Sequence, residues 1–322
     1  MAQQPTRPTV VWEMRAGDTR DTLLTLPYGM AVDGRSGHIL IADIQLPGIV
    51  EIDGEAGRIV QVLGREGNGP GEFKAPQRLA LSPDGRLLAV YDIGRRTIDI
   101  LTRAGTQLRR IPIGTVPFLK GMAVGNDTTV VLSGGRLGSG QVPVSLTWVK
   151  GGSIAATGPV PPRSPDLTED RDLDGRIYAA GGPILLLGDT LVLADAGTGD
   201  IWRTTPLTTN RVAAGPGAPP DLMASIITPA EVDGHKVNRI SFDFPQVVYV
   251  DTLGPTAFLT VYSDRRAKTA TFLRQSPDRA PQVLTTWALN PSVMVRYDQT
   301  SFVVLELGDE GWRLALVRLP LP

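Results

Sequence analysis

The stretch Gly64-Arg65-Glu66-Gly67-Asn68-Gly69-Pro70-Gly71-Glu72-Phe73-Lys74-Ala75-Pro76, with the segment Gln77 to Asp92 behind it, decides the fold. Gly64 to Gly71 holds four glycines and a proline, which excludes both a helix and a straight strand. The residues behind it read as strand, turn, strand. Arg78 to Leu81 and Leu87 to Asp92 are rich in apolar residues, and Pro83-Asp84-Gly85 between them is a turn signal.

Outward from this stretch the same grammar recurs. Leu26 to Asp33, His38 to Asp43, Gly48 to Asp53 and Arg58 to Leu63 form one unit of four short strands. Asp43 and Asp92 stand 49 residues apart and end equivalent strands of the first two units. A third unit runs from Lys120 to Val149, with Gly134 in the aspartate position. A fourth runs from Ile177-Tyr178-Ala179-Ala180 to Arg203, with Asp195 in that position. A fifth runs from Pro245 to Leu273, with Asp264, and a sixth from Leu284 to Leu319. Six units of about 40–60 residues predict an all-β, six-bladed β-propeller rather than two domains. The sixth unit is one strand short. The orphan strand Thr9 to Arg15 is the natural donor, closing the ring as the outermost strand of the last blade. Residues 1–8 are expected to be disordered and residues 9–322 to form the single propeller. Two insertions interrupt the period, Thr157 to Arg176 and Thr204 to Phe244. Within the second, Asp221 to Ile227 suits a short helix after Pro220, and the whole insertion suits a lid or binding loop.

Gly67-Asn68-Gly69-Pro70-Gly71-Glu72-Phe73, Pro76, Asp84-Gly85, a strand ending in Asp92, and Arg96 to Leu101 with Gly105 resemble the NHL-repeat pattern. More broadly the chain is similar to bacterial six-bladed propellers of the NHL and TolB-like kind. The close match covers about residues 26–114. The resemblance implies the fold. It implies no activity, because propellers host unrelated functions.

Composition narrows the chemistry. The chain has no cysteine, which excludes disulfides, thiolate metal sites and a cysteine nucleophile. It has two histidines, His38 and His235, too few for a histidine-rich metal centre. A net charge of −1 gives no global pull toward nucleic acid. No apolar run is long enough to span a bilayer as a helix. Ala2-Gln3-Gln4-Pro5 reads as the start of a mature exported bacterial chain, periplasmic or secreted, from which a signal has been removed. The alternative is a plain cytoplasmic N-terminus. The glycine-rich stretch is not a phosphate loop, since no Lys-Ser or Lys-Thr follows it.

In a propeller the blade-to-blade connectors and the turns between second and third strands share one face. On that face the candidate ligand-binding residues are Arg65, Lys74, Arg78, Arg95, Arg96, Lys120, Arg136 and Arg265. A cationic mouth favours a carboxylated, phosphorylated or otherwise acidic partner. The repeated Asp43, Asp92, Asp195 and Asp264 are expected to accept backbone N–H bonds in their turns rather than to bind Ca²⁺. The five tryptophans are expected to pack between blades. The expected function is a non-enzymatic propeller, without cofactor or metal, binding a peptide or protein as a monomer. The alternative is a hydrolase or lyase at the mouth of the central channel, with His235 and Tyr178 as catalytic candidates beside Arg78 and Lys120.

Overall fold

Second strands such as His38-Ile39-Leu40-Ile41-Ala42-Asp43 are apolar at nearly every position, which an ordinary two-sided sheet does not need. The computed structural model shows why. It describes residues 5–18, 23–116, 119–137, 143–159, 180–217, 227–232, 235–240 and 245–319. Ile39 and Ile41 pack toward the last blade, while Leu40 and Ala42 pack toward the second. Each sheet is thus buried on both faces, and the alternation along one strand feeds two different cores.

The described residues contain no helix. Six four-stranded antiparallel sheets form the blades. Blade 1 comprises Pro27–Asp33, His38–Asp43, Ile49–Asp53 and Arg58–Leu63, from the axis outward. Blade 2 comprises Pro76–Leu81, Leu87–Asp92, Thr97–Thr102 and Gln107–Pro112. Blade 3 comprises Gly121–Val124, Val130–Leu137, Pro143–Lys150 and Ser153–Thr157. Blade 4 comprises Ile184–Leu187, Thr190–Ala194, Ile201–Thr204 and Thr209–Ala213. Blade 5 comprises Gln246–Thr252, Phe258–Asp264, Thr269–Gln275 and Gln282–Trp287. Blade 6 comprises Val293–Arg296, Ser301–Gly308 and Gly311–Arg318, completed on the outside by Thr9–Arg15. Each innermost strand touches the innermost strand of the next blade, and the sixth touches the first. Six apolar clusters fill the six gaps between blades. Trp148, Trp287 and Trp312 belong to these clusters, and Trp12 and Trp202 pack against them.

The N-terminal segment ties three blades together. Thr9–Arg15 pairs antiparallel with Gly311–Arg318. Thr6, which the sequence placed in a disordered tail, donates its N–H to Thr286 O at 2.9 Å, and its carbonyl accepts from Ala288 N at 2.8 Å, on blade 5. Trp12 reaches across to blade 1, where its Nε1 donates to Gly54 O at 2.7 Å. The indole lies so close to Gly57 that a Cβ there would sit 2.7 Å from the ring.

The strand boundaries differ from the sequence reading in two blades. The innermost strand of blade 4 is Ile184–Leu187, not 177–180, because the Gly188-Asp189 turn pairs it directly with Thr190–Ala194. Every later strand of that blade moves in by one place. Thr209–Ala213 thereby becomes its outermost strand, although it falls within the expected 204–244 insertion. Gln282–Trp287 closes blade 5 instead of opening blade 6, so Trp287 is peripheral rather than axial. Within the insertion, Ile227–Val232 and His235–Ile240 form a hairpin. Ile227 opens its first strand, and residues 221–226 of the expected helix lie outside the described residues.

Between blades 1 and 2 a buried polar network supplements the apolar packing. Arg103 of blade 2 donates to Asp33 at 2.8 Å and to Glu51 at 2.5 Å. Glu51 also meets His38 Nδ1 at 2.7 Å and accepts from Gln61 at 2.7 Å. Burial alone would raise the Glu51 pKa, but the bonds from Arg103, His38 and Gln61 prevail and hold it down to about 2.

Two outcomes follow. A chain lacking residues 1–16 is expected to melt at a markedly lower temperature, and Trp12→Ala to cost on the order of 2 kcal/mol in denaturant unfolding; an unchanged melt for the truncated chain would refute the closure. The lowered Glu51 pKa makes its stabilisation complete above about pH 4.5 and lost as pH falls toward 2. Glu51→Gln should flatten that part of the stability–pH curve, and an equally steep curve in the variant would contradict the assignment.

Candidate functional site

Four antiparallel strands per blade place each blade-to-blade connector and each turn between second and third strands at the same end of the molecule. The repeated aspartates anchor that end. Asp43 is fully buried and accepts four backbone N–H bonds, from Thr25 at 2.7 Å, Leu26 at 2.8 Å, Gln45 at 2.8 Å and Leu46 at 3.1 Å. Two of these donors precede the innermost strand and two follow the second strand, so one carboxylate fixes connector and turn together. Asp92 does the same in blade 2, accepting from Lys74 N at 2.7 Å, Ala75 N at 3.2 Å and Arg95 N at 3.1 Å. Asp195 accepts from Gly197 N and Thr198 N, and Asp264 from Arg266 N and Ala267 N.

The glycine-rich connector is pinned in the same manner. Phe73 is buried between blades 1 and 2, and Gly64 leaves room for its ring. The Arg95 side chain, expected to face a ligand, is only 7% exposed. It donates to the carbonyls of Glu72 and Gly67 and lies 3.7 Å from Asp92. Arg110 donates to Asp99 at 2.6 Å and to Asn68 O at 2.8 Å. Arg95 is therefore a structural cation. Arg65 is exposed but paired with Glu72 at 2.9 Å. Lys74 and Arg96 are exposed, and Arg96 adopts a left-handed φ of 59° at the end of its turn.

The axis holds a cavity of about 330 Å³ lined by all six blades. Its wall mixes apolar and polar groups, with Met30, Met122, Ile184, Val248 and Val293 among the apolar residues. Two of the expected cations come together here. Arg78 donates from Nε to Leu119 O at 3.0 Å and from Nη1 to Tyr28 O at 2.7 Å, and its guanidinium lies 5.1 Å from the Tyr28 ring centroid. Among the described residues it has no carboxylate partner. Burial lowers its pKa, against a smaller opposing effect of Tyr28. Lys120 is the residue after Leu119 and lines the same cavity. Burial drives its pKa down to about 8, with the charge of Asp195 pulling the other way.

The far end of the cavity was not anticipated from the sequence. Arg296 donates to Asp251 at 2.7 Å, and the Tyr249 hydroxyl donates to the same oxygen at 2.8 Å. Arg296 escaped the sequence reading because the innermost strand of blade 6 had been assigned one segment too early. The positive charge at that end is internally neutralised; that of Arg78 meets no carboxylate among the described residues.

The remaining candidates lie elsewhere. Arg265 is exposed, bonds Ser292 Oγ at 3.3 Å and lines a separate groove of about 900 Å³ between blades 5 and 6. Arg136 lies in the second strand of blade 3, opposite Val144, and its side chain is outside the described residues. His235 opens the second strand of the 227–240 hairpin, opposite Val232; its side chain and the whole of Tyr178 are likewise outside them. Among the described residues no three His, Asp or Glu side chains converge on a point that suits a metal ion.

No family model matches the chain, and no curated protein matches it. Solved structures do. A Bacteroides fragilis protein predicted to be exported aligns with a TM-score of 0.59 at 11% identity, covering 96% of this chain and 94% of that one. The WD40 repeats of RRP9 align at 0.56 and 11%, covering 98% and 100%. Virginiamycin B lyase from Staphylococcus aureus aligns at 0.53 and 12%, covering 96% and 99%. These likenesses establish the propeller fold. They span an exported protein, a WD40 repeat domain and a lyase, and leave function to the site.

The sorting of cations is testable by unfolding. Arg95→Ala should cost about 3 kcal/mol, as expected for a broken buried charge network, whereas Arg96→Ala should stay within about 0.5 kcal/mol. Equal effects would show that Arg95 does not hold the connector.

Proposed function

We propose that this propeller is a binding module whose connector face receives an acidic group of a peptide or protein at the axial cavity, on Arg78 and Lys120. One observation carries the reading: a half-buried guanidinium on the cavity wall that, among the described residues, is hydrogen-bonded only to carbonyl oxygens. An unbalanced buried charge is costly, and a carboxylate bound beside it relieves that cost. The donors not engaged by Leu119 and Tyr28 remain to grip such a group in a fixed orientation. The connector that precedes Arg78 supports the reading by its rigidity, and we take its Gly67–Phe73 sequence as NHL-type. The exported neighbour supports a periplasmic or secreted location.

The test is fluorescence anisotropy with a labelled hexaglutamate peptide. Binding should weaken as salt is raised and fall at least tenfold in Arg78→Gln and in Lys120→Gln. Arg58→Gln, on the exposed outermost strand of blade 1, should bind as the parent chain does. Equal affinity in all three variants would overturn the proposal.

A further inference from the structure

The groove between blades 5 and 6 carries opposite charges on its two walls. One wall is the turn between the second and third strands of blade 5, where Arg265, Arg266 and Lys268 are exposed. Asp264 fixes that turn by accepting from Arg266 N and Ala267 N, both at 2.9 Å. In the matching turn of blade 2, Arg95 folds inward to clamp the connector; Ala267 stands in its place here, and the blade 5 cations stay on the rim. The facing wall is the turn 308–311 of blade 6. Gly308 pairs with Gly311 there, and the two residues between them, Asp309 and Glu310, are exposed. Among the described residues, Arg265 bonds only Ser292 Oγ, at 3.3 Å, and none of these five charged groups forms an ion pair. The other charges of the groove are engaged with one another: Arg313 holds Glu306 at 2.8 Å and Glu13 at 2.9 Å, and Arg15 holds Glu13 at 3.0 Å. A basic lip thus faces an acidic lip, each on a tight turn.

We propose that this groove binds an extended peptide segment in which acidic and basic side chains alternate. The inference stands apart from the axial site. In a β-strand successive side chains point to opposite sides, so a period of two sends every acid one way and every base the other. Laid along the groove, such a strand puts its carboxylates on Arg265, Arg266 and Lys268 and its ammonium groups on Asp309 and Glu310. The groove runs from Arg15 on the outermost strand of blade 6, past Arg313 on the third, to Glu306 on the second. Two strand spacings of about 4.8 Å make a path of roughly 10 Å, the length of about three extended residues. A uniformly acidic segment meets repulsion from Asp309 and Glu310, and a uniformly basic one meets it from the opposite lip. Exposed ion pairs contribute little each, so the two walls select pattern and orientation more than they confer strength.

The full chain is titrated by fluorescence anisotropy at low salt with two labelled hexapeptides capped at both ends, Glu-Lys-Glu-Lys-Glu-Lys and Glu-Glu-Glu-Lys-Lys-Lys. They share length, composition and net charge, so only the pattern differs. The alternating peptide should bind at least fivefold more tightly, and added salt should erase the difference. Arg266→Glu with Lys268→Glu should weaken its binding at least fivefold, and so should Asp309→Lys with Glu310→Lys. Arg58→Gln, on the exposed outermost strand of blade 1, should leave it unchanged. All four substitutions in one chain exchange the two lips and should restore binding, since the same strand turned about its axis presents the same alternation; a misfolded variant could not recover in this way. Equal affinity for the two peptides, or wall variants that bind as the parent chain does, would overturn the inference. Tighter binding of hexaglutamate than of the alternating peptide, lost in Arg266→Glu with Lys268→Glu, would overturn it too and leave a plain acidic-ligand rim. The axial reading is decided separately, by the response of hexaglutamate binding to Arg78→Gln.

Discussion

Burial of each sheet on both faces is the constraint on which the structure depends. A four-stranded blade cannot cover its own apolar surfaces, so each one is stable only between neighbours. The alternation Ile39, Leu40, Ile41, Ala42 sends side chains into two cores by turns, and the same arrangement recurs around the ring. A ring built this way has one vulnerable seam, where the chain ends meet. Strand Thr9–Arg15 seals it by pairing with blade 6, while Thr6 reaches blade 5 and Trp12 reaches blade 1.

The connector face inherits its order from the same design. Asp43 and Asp92 gather backbone N–H groups from both the connector and the turn, Asp195 and Asp264 from the turn, and Arg95 and Arg110 clamp the glycine-rich connector. This consumes much of the positive charge that the sequence alone offers to that face. What remains at the axis among the described residues is Arg78, held by carbonyls and an aromatic ring. Rigid surroundings and an uncompensated charge are what a recognition site requires.

The fold was legible because its signals are local and repeated. Turn dipeptides, apolar second strands and the aspartate after them recur in most units, and one missing strand had one available donor. Boundaries were less legible in blades 4 and 6. There, short apolar segments such as Ile184–Leu187 and Gln282–Trp287 fit two neighbouring slots equally well, and only pairing partners choose between them. The site was legible in part. Arg78 and Lys120 follow from their place at the start of innermost strands. The burial of Arg95 does not, because it depends on carbonyls of Gly67 and Glu72 that are distant in sequence. The Tyr249–Asp251–Arg296 group was hidden by the misplaced strand.

The central claim is that Arg78 is the guanidinium that meets the ligand. Its side-chain Nε–Hε resonance, followed by NMR during titration with benzoate, tests this most directly. The account predicts that the Arg78 signal moves and saturates while the signal of exposed Arg96 stays in place. An Arg78 signal that does not move, or arginine signals that all drift together without saturating, would contradict it.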